Sequence, residues 1–407
     1  MVQTTLHRPE LRSTGRARVS VTSLLKRWFG FALRSCIRRQ LEASPRRCAL
    51  HWQDGAMVRR PYPTYRDQTY PATAAIWRAL RELRPEPPGY ASKGPRQKLF
   101  SAALEQSEQL FTAAASVGPA SRPLVLFYGL SQAGRAIAAC APIPADKCRL
   151  NGHGIAAAQM DQPDLGSVTV KDKGVAGTQS FTQVAAMLGS RSLPDEALLA
   201  DVWASILEVS LWPLQSTTRP QLSVSRETHQ VDANTLQAIV SGLPGNLQDH
   251  ASPQDREQAV RAWLADYPSL TGYRFRSIGA IPDSGPDSWD SMQGTIGCRL
   301  VWDVAGGEEA AKRRFEHIAP WKGRSLSDST RVIHARFGGD DRVLHPLLAW
   351  WAVLYTLSML ARYQPGQWTA QIDVNRSKDA VAIEYLLDSA LAAVPELILA
   401  AIGEMTA

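Results

Sequence analysis

The sequence predicts an α+β protein, predominantly α-helical, with buried central helices and short strands at their side. Two long apolar runs, Pro123 to Cys140 and His345 to Arg362, read as helices that are greasy on several faces, which places them in a core. Amphipathic segments cut by Pro and Gly flank them as further helices. Between them lie short β-rich segments such as Val168–Val170, Gln221–Val224 and Gly294–Val304.

A chain of 407 residues with 44% hydrophobic content is long enough for two or three domains. The formal charge is +7, and it is unevenly spread. Up to Arg60 there are 13 Lys and Arg against Glu10, Glu42 and Asp54, so the head carries +10 and the remainder −3. Residues 1–56 are therefore set apart as a basic N-terminal extension upstream of Met57. Val21 to Leu41 alternates Leu25, Trp28, Phe29, Leu33 and Ile37 with five basic residues, a pattern suited to an anionic membrane surface or to phosphates. Residues 57–245 form a helical part around helix 123–140. Residues 246–407 form an α+β part around helix 345–362, the division falling in the loop Pro244–Gln254.

The remaining elements follow from periodicity and punctuation. Helices are expected at Ala72–Leu83, ended by Pro85, Pro87 and Pro88, at Lys98–Val117, at Asp195–Val209, at Pro253–Tyr267 and at Glu308–Ile318. Strands are expected at Gly177–Phe181, Tyr273–Ile278, Val332–Phe337 and Ala370–Val374, and a helix capped by Ser377 runs to Ala393, with Pro395 starting or kinking the next. The stretch nearest to a membrane span, Leu347–Ala361, is uncharged but interrupted by Thr356 and Ser358 and falls short of the roughly 20 residues a bilayer requires, so no transmembrane segment is expected. Five cysteines without a C-x-x-C pair, Cys36, Cys48, Cys140, Cys148 and Cys298, suit reduced thiols in a cytoplasm.

The chemistry-bearing signal is a repeated spacing. Tyr128, Leu130, Ser131 and Arg135 recur as Tyr355, Leu357, Ser358 and Arg362, and helical geometry puts each Tyr, Ser and Arg on one stripe. A buried arginine needs an anion, a carboxylate or carbonyls, and its fork matches a phosphate or carboxylate. Asn151-Gly-His-Gly-Ile155 presents His153 between two glycines on a tight turn. Tyr128, Ser131, Arg135, His153, Tyr355, Ser358 and Arg362 are thus the candidate ligand-binding residues, in a pocket for an anion such as a nucleotide or a nucleic-acid phosphate. The competing reading is internal polar glue, each arginine paired with an acid or reaching water from a helix margin. His345 suits a helix cap, and His334 a structural position.

Several function classes are excluded or weakened. No P-loop, G-x-G-x-x-G, G-x-S-x-G or H-E-x-x-H pattern is present, and no cofactor or metal site is expected. The only Arg and His at the spacing of a helical RNase are Arg46 and His51 in the head. Gly338-Gly339-Asp340-Asp341 is ordinary turn chemistry. Asp373, Lys378 and Glu384 have the wrong order for a nuclease trio. The alternatives left open are a nucleic-acid-acting enzyme, for example in phage defence, and a non-catalytic interaction protein.

Four runs carry a family resemblance: Ala103 to Phe111 (ALEQSEQLF), Arg122 to Arg135, Asn151 to Ile155, and His345 to Trp368. With these, the stretch from about Ile76 to Ile402 resembles the YaaC-like family of bacterial proteins. The resemblance implies a bacterial cytoplasmic protein with a shared architecture. It implies no reaction and no catalytic residue.

Overall fold

The structure is a computed structural model, and it describes residues 50–53, 56–59, 66–174, 179–191, 193, 197–209, 212–217, 219–227, 234–279, 295–320, 330–336 and 344–406. The expected amphipathic segment Val21–Leu41, Arg46 and the turn Gly338–Asp341 lie outside these residues.

The chain divides into two compact units, Met1–Tyr65 and Arg66–Ala407. In the first, β1 (Leu50–Gln53) pairs antiparallel with β2 (Ala56–Arg59). The second begins with α1 (Arg66–Glu82), α2 (Pro95–Ser116) and α3 (Arg122–Cys140). Next come β3 (Ile155–Ala158), β4 (Thr169–Asp172), α4 (Ser180–Met187), β5 (Ala197–Leu198) and α5 (Leu199–Ala204). Strands β6 (Leu222–Glu227) and β7 (Thr235–Pro244) lead to α6 (Pro253–Leu264), β8 (Arg274–Gly279), β9 (Thr295–Asp303), α7 (Gly307–Ile318) and β10 (Thr330–Ile333). The chain closes with α8 (Pro346–Tyr363), α9 (Pro365–Gln371) and α10 (Ala380–Glu404). This is a mixed α+β protein, mainly helical, as its periodicities predict.

The second unit holds two hydrophobic cores. The helical core runs from Leu80 to Ile402 and gathers α2, α3, α8 and α10, with the sheet β3-β4-β5 at its side. The other core is confined to Leu222 through Ile333 and belongs to the antiparallel sheet β10-β6-β7-β9-β8 and helices α6 and α7. In chain order the sheet core is an insertion between α5 and α8 of the helical core.

Helix α8 is the axis of the helical core. Every residue from Pro346 to Leu360 is buried, so it has no polar face to turn outward and other elements must surround it. Its start is fixed by His345, whose Nδ1 accepts the Leu347 N–H at 3.1 Å while Nε2 lies 3.3 Å from Glu404. The cap expected of His345 is therefore present. Helix α3 approaches α8 through Gly134, where an added Cβ would lie 2.4 Å from Cη2 of the fully buried Trp351. Helix α10 is the one described helix long and apolar enough to cross a membrane, and 56% of its apolar window is buried, with Ile383, Leu386, Val394 and Ile398 in the helical core.

The sheet is built on β7 and β9, whose register shifts between Ser241 and Leu243. Gly242 sits in that bulge with φ 96°, a conformation that favours glycine. Arg299 of β9 grips both carboxylate oxygens of Glu227 at 2.8 Å. The start of α6 is set by Ser252, whose hydroxyl accepts the Asp255 N–H at 3.0 Å, with Pro253 in the first turn.

Three expectations are corrected. Gly177–Phe181 is no strand over its described residues: Ser180 opens α4, and Phe181, Val184 and Ala185 face the core on helical spacing. Ala370–Val374 is likewise the end of α9 and a turn, because the Trp368 indole donates to the Ala120 carbonyl and seats α9 as a helix. The helix expected over Asp195–Val209 shrinks to α5 and a 3-10 turn, Leu207–Val209, since Ala197 and Leu198 pair with β4.

His334 follows β10, and its two ring nitrogens are shielded from solvent without a hydrogen-bond partner. Burial pushes its pKa down to about 4, so the folded imidazole stays neutral where an unfolded one takes a proton. Stability should be flat above the unfolded value of about 6.5 and fall as pH drops toward 4, by at most ~1.4 kcal/mol per pH unit from this group. Urea midpoints between pH 7.5 and 4 should show that slope, and His334→Gln should flatten it. An equal slope in the variant would contradict this assignment.

Candidate functional site

The repeated Tyr-Ser-Arg stripes lie on α3 and α8. The first turn of α3 carries Pro123, whose missing N–H is harmless there, and about one turn further its side chains Phe127 and Tyr128 reach toward α8 and the loop of His153. Phe127 is the hub. Its ring lies 5.4 Å from Tyr355, 5.2 Å from His153 and 5.4 Å from Tyr128 between centroids. The His153 ring is 5.7 Å from Tyr355.

The loop holding His153 is pinned by its backbone. Phe181 N–H donates to the His153 carbonyl at 3.0 Å, Ser180 Oγ to the Gly152 carbonyl at 2.8 Å, and Lys173 N–H to the Gly154 carbonyl at 3.0 Å. Gly152 and Gly154 have φ of 64° and 72°, and a Cβ on Gly154 would press on Gln179 Cβ at 3.0 Å. Both glycines thus do what the sequence pattern implies, presenting one imidazole on a fixed turn.

The electrostatics are one-sided. Burial first, then the charges of Arg362, Lys173 and Arg135, push the His153 pKa down, so the ring is neutral at pH 7. Burial also lowers the pKa of Arg135, whose Nη1 donates to Gln132 Oε1 at 3.0 Å. Arg362 Nη1 donates to the Tyr128 hydroxyl at 3.2 Å, and its guanidinium lies over the Tyr363 ring at 4.9 Å. Among the described residues no carboxylate pairs with Arg135, Lys173 or Arg362.

The structure brings Tyr128, Arg135, His153, Tyr355 and Arg362 around this cluster, and it alters the expected burial. Arg362 and Tyr128 are exposed, because Arg362 stands in the last turn of α8 beyond the buried stretch that ends at Leu360. Ser358 is wholly buried and donates to the Tyr355 carbonyl of its own helix at 2.7 Å, which leaves no proton for a ligand. Ser131 is also buried. Each serine lies inside the helical core, and the cationic groups form an open patch. Sequence reasoning missed Phe127 and Lys173. The basic run Lys171-Asp-Lys-Gly174 across the end of β4 was a weak signal for the lysine.

Other reactive groups do not gather. Among the described residues no group of three or more His, Cys, Asp or Glu is placed to hold a metal ion. Cys140 and Cys298 are buried free thiols whose pKa values burial pushes up to about 12, which disfavours the nucleophilic thiolate.

No curated protein and no solved structure matches the chain. A family model, that of YaaC-like proteins, matches residues 86–402, which span α2, α3, the His153 loop, the sheet core, the helical core apart from Leu80, and nearly all of α10. With the family match covering both stripe-bearing helices and the glycine-flanked histidine, the chain belongs to the YaaC-like family.

Proposed function

We propose that the patch of Tyr128, Arg135, His153, Lys173 and Arg362 binds the phosphate of a nucleotide or of a nucleic acid. The observation that carries this reading is the convergence of three cations on one neutral imidazole, none of them ion-paired with a carboxylate among the described residues. Such a patch repels itself, and an anion relieves the repulsion. Tyr128 and Tyr363, both exposed, offer flat faces on which a base can stack next to the guanidinium of Arg362. The buried free thiols Cys140, Cys148 and Cys298 suit a reducing cytoplasm, where such ligands are abundant.

Binding of ADP, and of a fluorescent single-stranded oligonucleotide, tests this by calorimetry and anisotropy. Wild type should bind at least one of them with an affinity that falls as salt rises. The Arg135→Ala plus Arg362→Ala variant should bind it at least ~10-fold more weakly, since each charge-assisted bond is worth roughly 1.5–3 kcal/mol. Equal binding by the two proteins, or none by either, would count against the reading.

A further inference from the structure

A second site is suggested by a cleft of about 350 Å³ at the seam of the helical and sheet cores, far in chemistry from the cationic patch. Its walls come from both cores: Asp201 of α5 and Ser205 just after it, Arg219 ahead of β6, Asp266 after α6, and His334 and Arg336 after β10. The Arg336 N–H donates to the Asp266 carbonyl at 2.5 Å, and Arg219 Nε donates to the Asp266 carboxylate, so this wall is braced. The volume is that of a small-molecule site.

Its charges do not all cancel. Arg219 is met by Asp266 and also lies over the Trp263 ring at 5.6 Å. Arg336 is engaged as well. Among the described residues Asp201 has neither a hydrogen bond nor an ion pair, and burial raises its pKa, so its charged form is left uncompensated there. Ser205 spends its proton on the Val202 carbonyl at 2.6 Å and keeps only lone pairs to offer. The imidazole of His334 is held by no hydrogen bond, so turning a nitrogen toward the cleft breaks none. Among the described residues, the polar groups of the cleft without a hydrogen bond are thus the Asp201 carboxylate and the His334 imidazole, and the carboxylate carries a negative charge that no ion pair meets.

We infer that this cleft binds a small organic cation, an amidinium, guanidinium or primary ammonium whose N–H donors meet Asp201, Ser205 and His334. The carboxylate of Asp201 accepts the charged donors, and the imidazole takes one more through its lone pair. An anion would face the Asp201 carboxylate, which no ion pair offsets among the described residues.

Benzamidine is the probe, with benzoate as the control of the same shape and opposite charge, both added to the full chain and followed by saturation-transfer NMR and thermal melting. Benzamidine should give saturable transfer and raise the melting temperature, and benzoate should do neither at Asp201. Asp201→Asn should weaken benzamidine at least ~10-fold while melting no lower than wild type, because it removes an uncompensated charge. The Arg135→Ala plus Arg362→Ala variant should bind benzamidine as wild type does, which separates this site from the phosphate-binding patch. In wild type, the ring protons of His334 should shift on adding benzamidine and those of His153 should not, a readout that does not depend on any variant folding. No transfer from benzamidine, unchanged affinity in Asp201→Asn, or a shift at His153 in place of His334 would each overturn the inference.

Discussion

Gly134→Ala is expected to destabilise the protein by about 1–3 kcal/mol, although alanine is the better helix former by roughly 1 kcal/mol. The reason is the crossing of the two central helices. A methyl at Gly134 would stand 2.4 Å from Cη2 and 2.7 Å from Cζ3 of Trp351, and Val184 Cγ2 lies behind at 3.5 Å. Trp351 is fully buried in α8 and packs edge-on against Phe181 at 6.4 Å, so its ring has no room to retreat. Gly134→Leu should cost well over 3 kcal/mol, a large share of the 5–15 kcal/mol that holds an ordinary domain together. Trp351→Phe supplies the control. It shortens the ring on the clashing side and removes an indole N–H that is buried without a partner. The pair Gly134→Ala with Trp351→Phe should therefore lose less than the sum of the singles, with a coupling of about 0.5–3 kcal/mol. Urea midpoints of the four proteins measure it. A Gly134→Ala variant as stable as wild type, or strict additivity, would show that the helices do not meet there.

The central helices were legible because their signal is long. Pro123 to Cys140 and Pro346 to Leu360 are apolar on several faces, and only a helix in a core suits such a run. Strand β7 was not foreseen, although Leu236, Ala238 and Val240 alternate inward as a strand should. Gly242 breaks that alternation at the bulge, and Pro244, which the sequence assigns to a loop, proves to be the strand end. The expectation at Phe181 misled in the other direction, since this β-favouring residue belongs to the first turn of α4. Local preference lost there to tertiary packing of Phe181 and Val184.

At the candidate site, residue types were legible and their depth was not. The spacing places Tyr128 and Arg135 on one stripe, and the glycines around His153 announce a presented side chain. Whether Arg362 is buried depends on where α8 stops relative to the core, and Gln364 ends it within a turn of that arginine. Lys173 reaches His153 only because β4 pairs with β3, which follows the His153 loop. A long-range pairing of that kind leaves no local trace. Nesting of the sheet core between α5 and α8 is equally invisible to periodicity, because each helix and strand looks the same whichever core it serves.

If the cations around His153 receive an anion, as proposed, the imidazole itself is the gauge. Arg362, Lys173 and Arg135, together with burial, now hold its pKa below the ordinary value. An anion seated among them cancels their field and favours the imidazolium, so the His153 pKa should rise on binding. By the same linkage the ligand should bind more tightly as pH falls through the His153 range. The most direct measurement is the NMR titration of the His153 ring protons with and without saturating ADP, with His153→Gln assigning the resonance. A depressed pKa in the free protein that climbs with ADP is the result expected. A pKa that is ordinary when free, or unmoved by ligand, would contradict the cationic site.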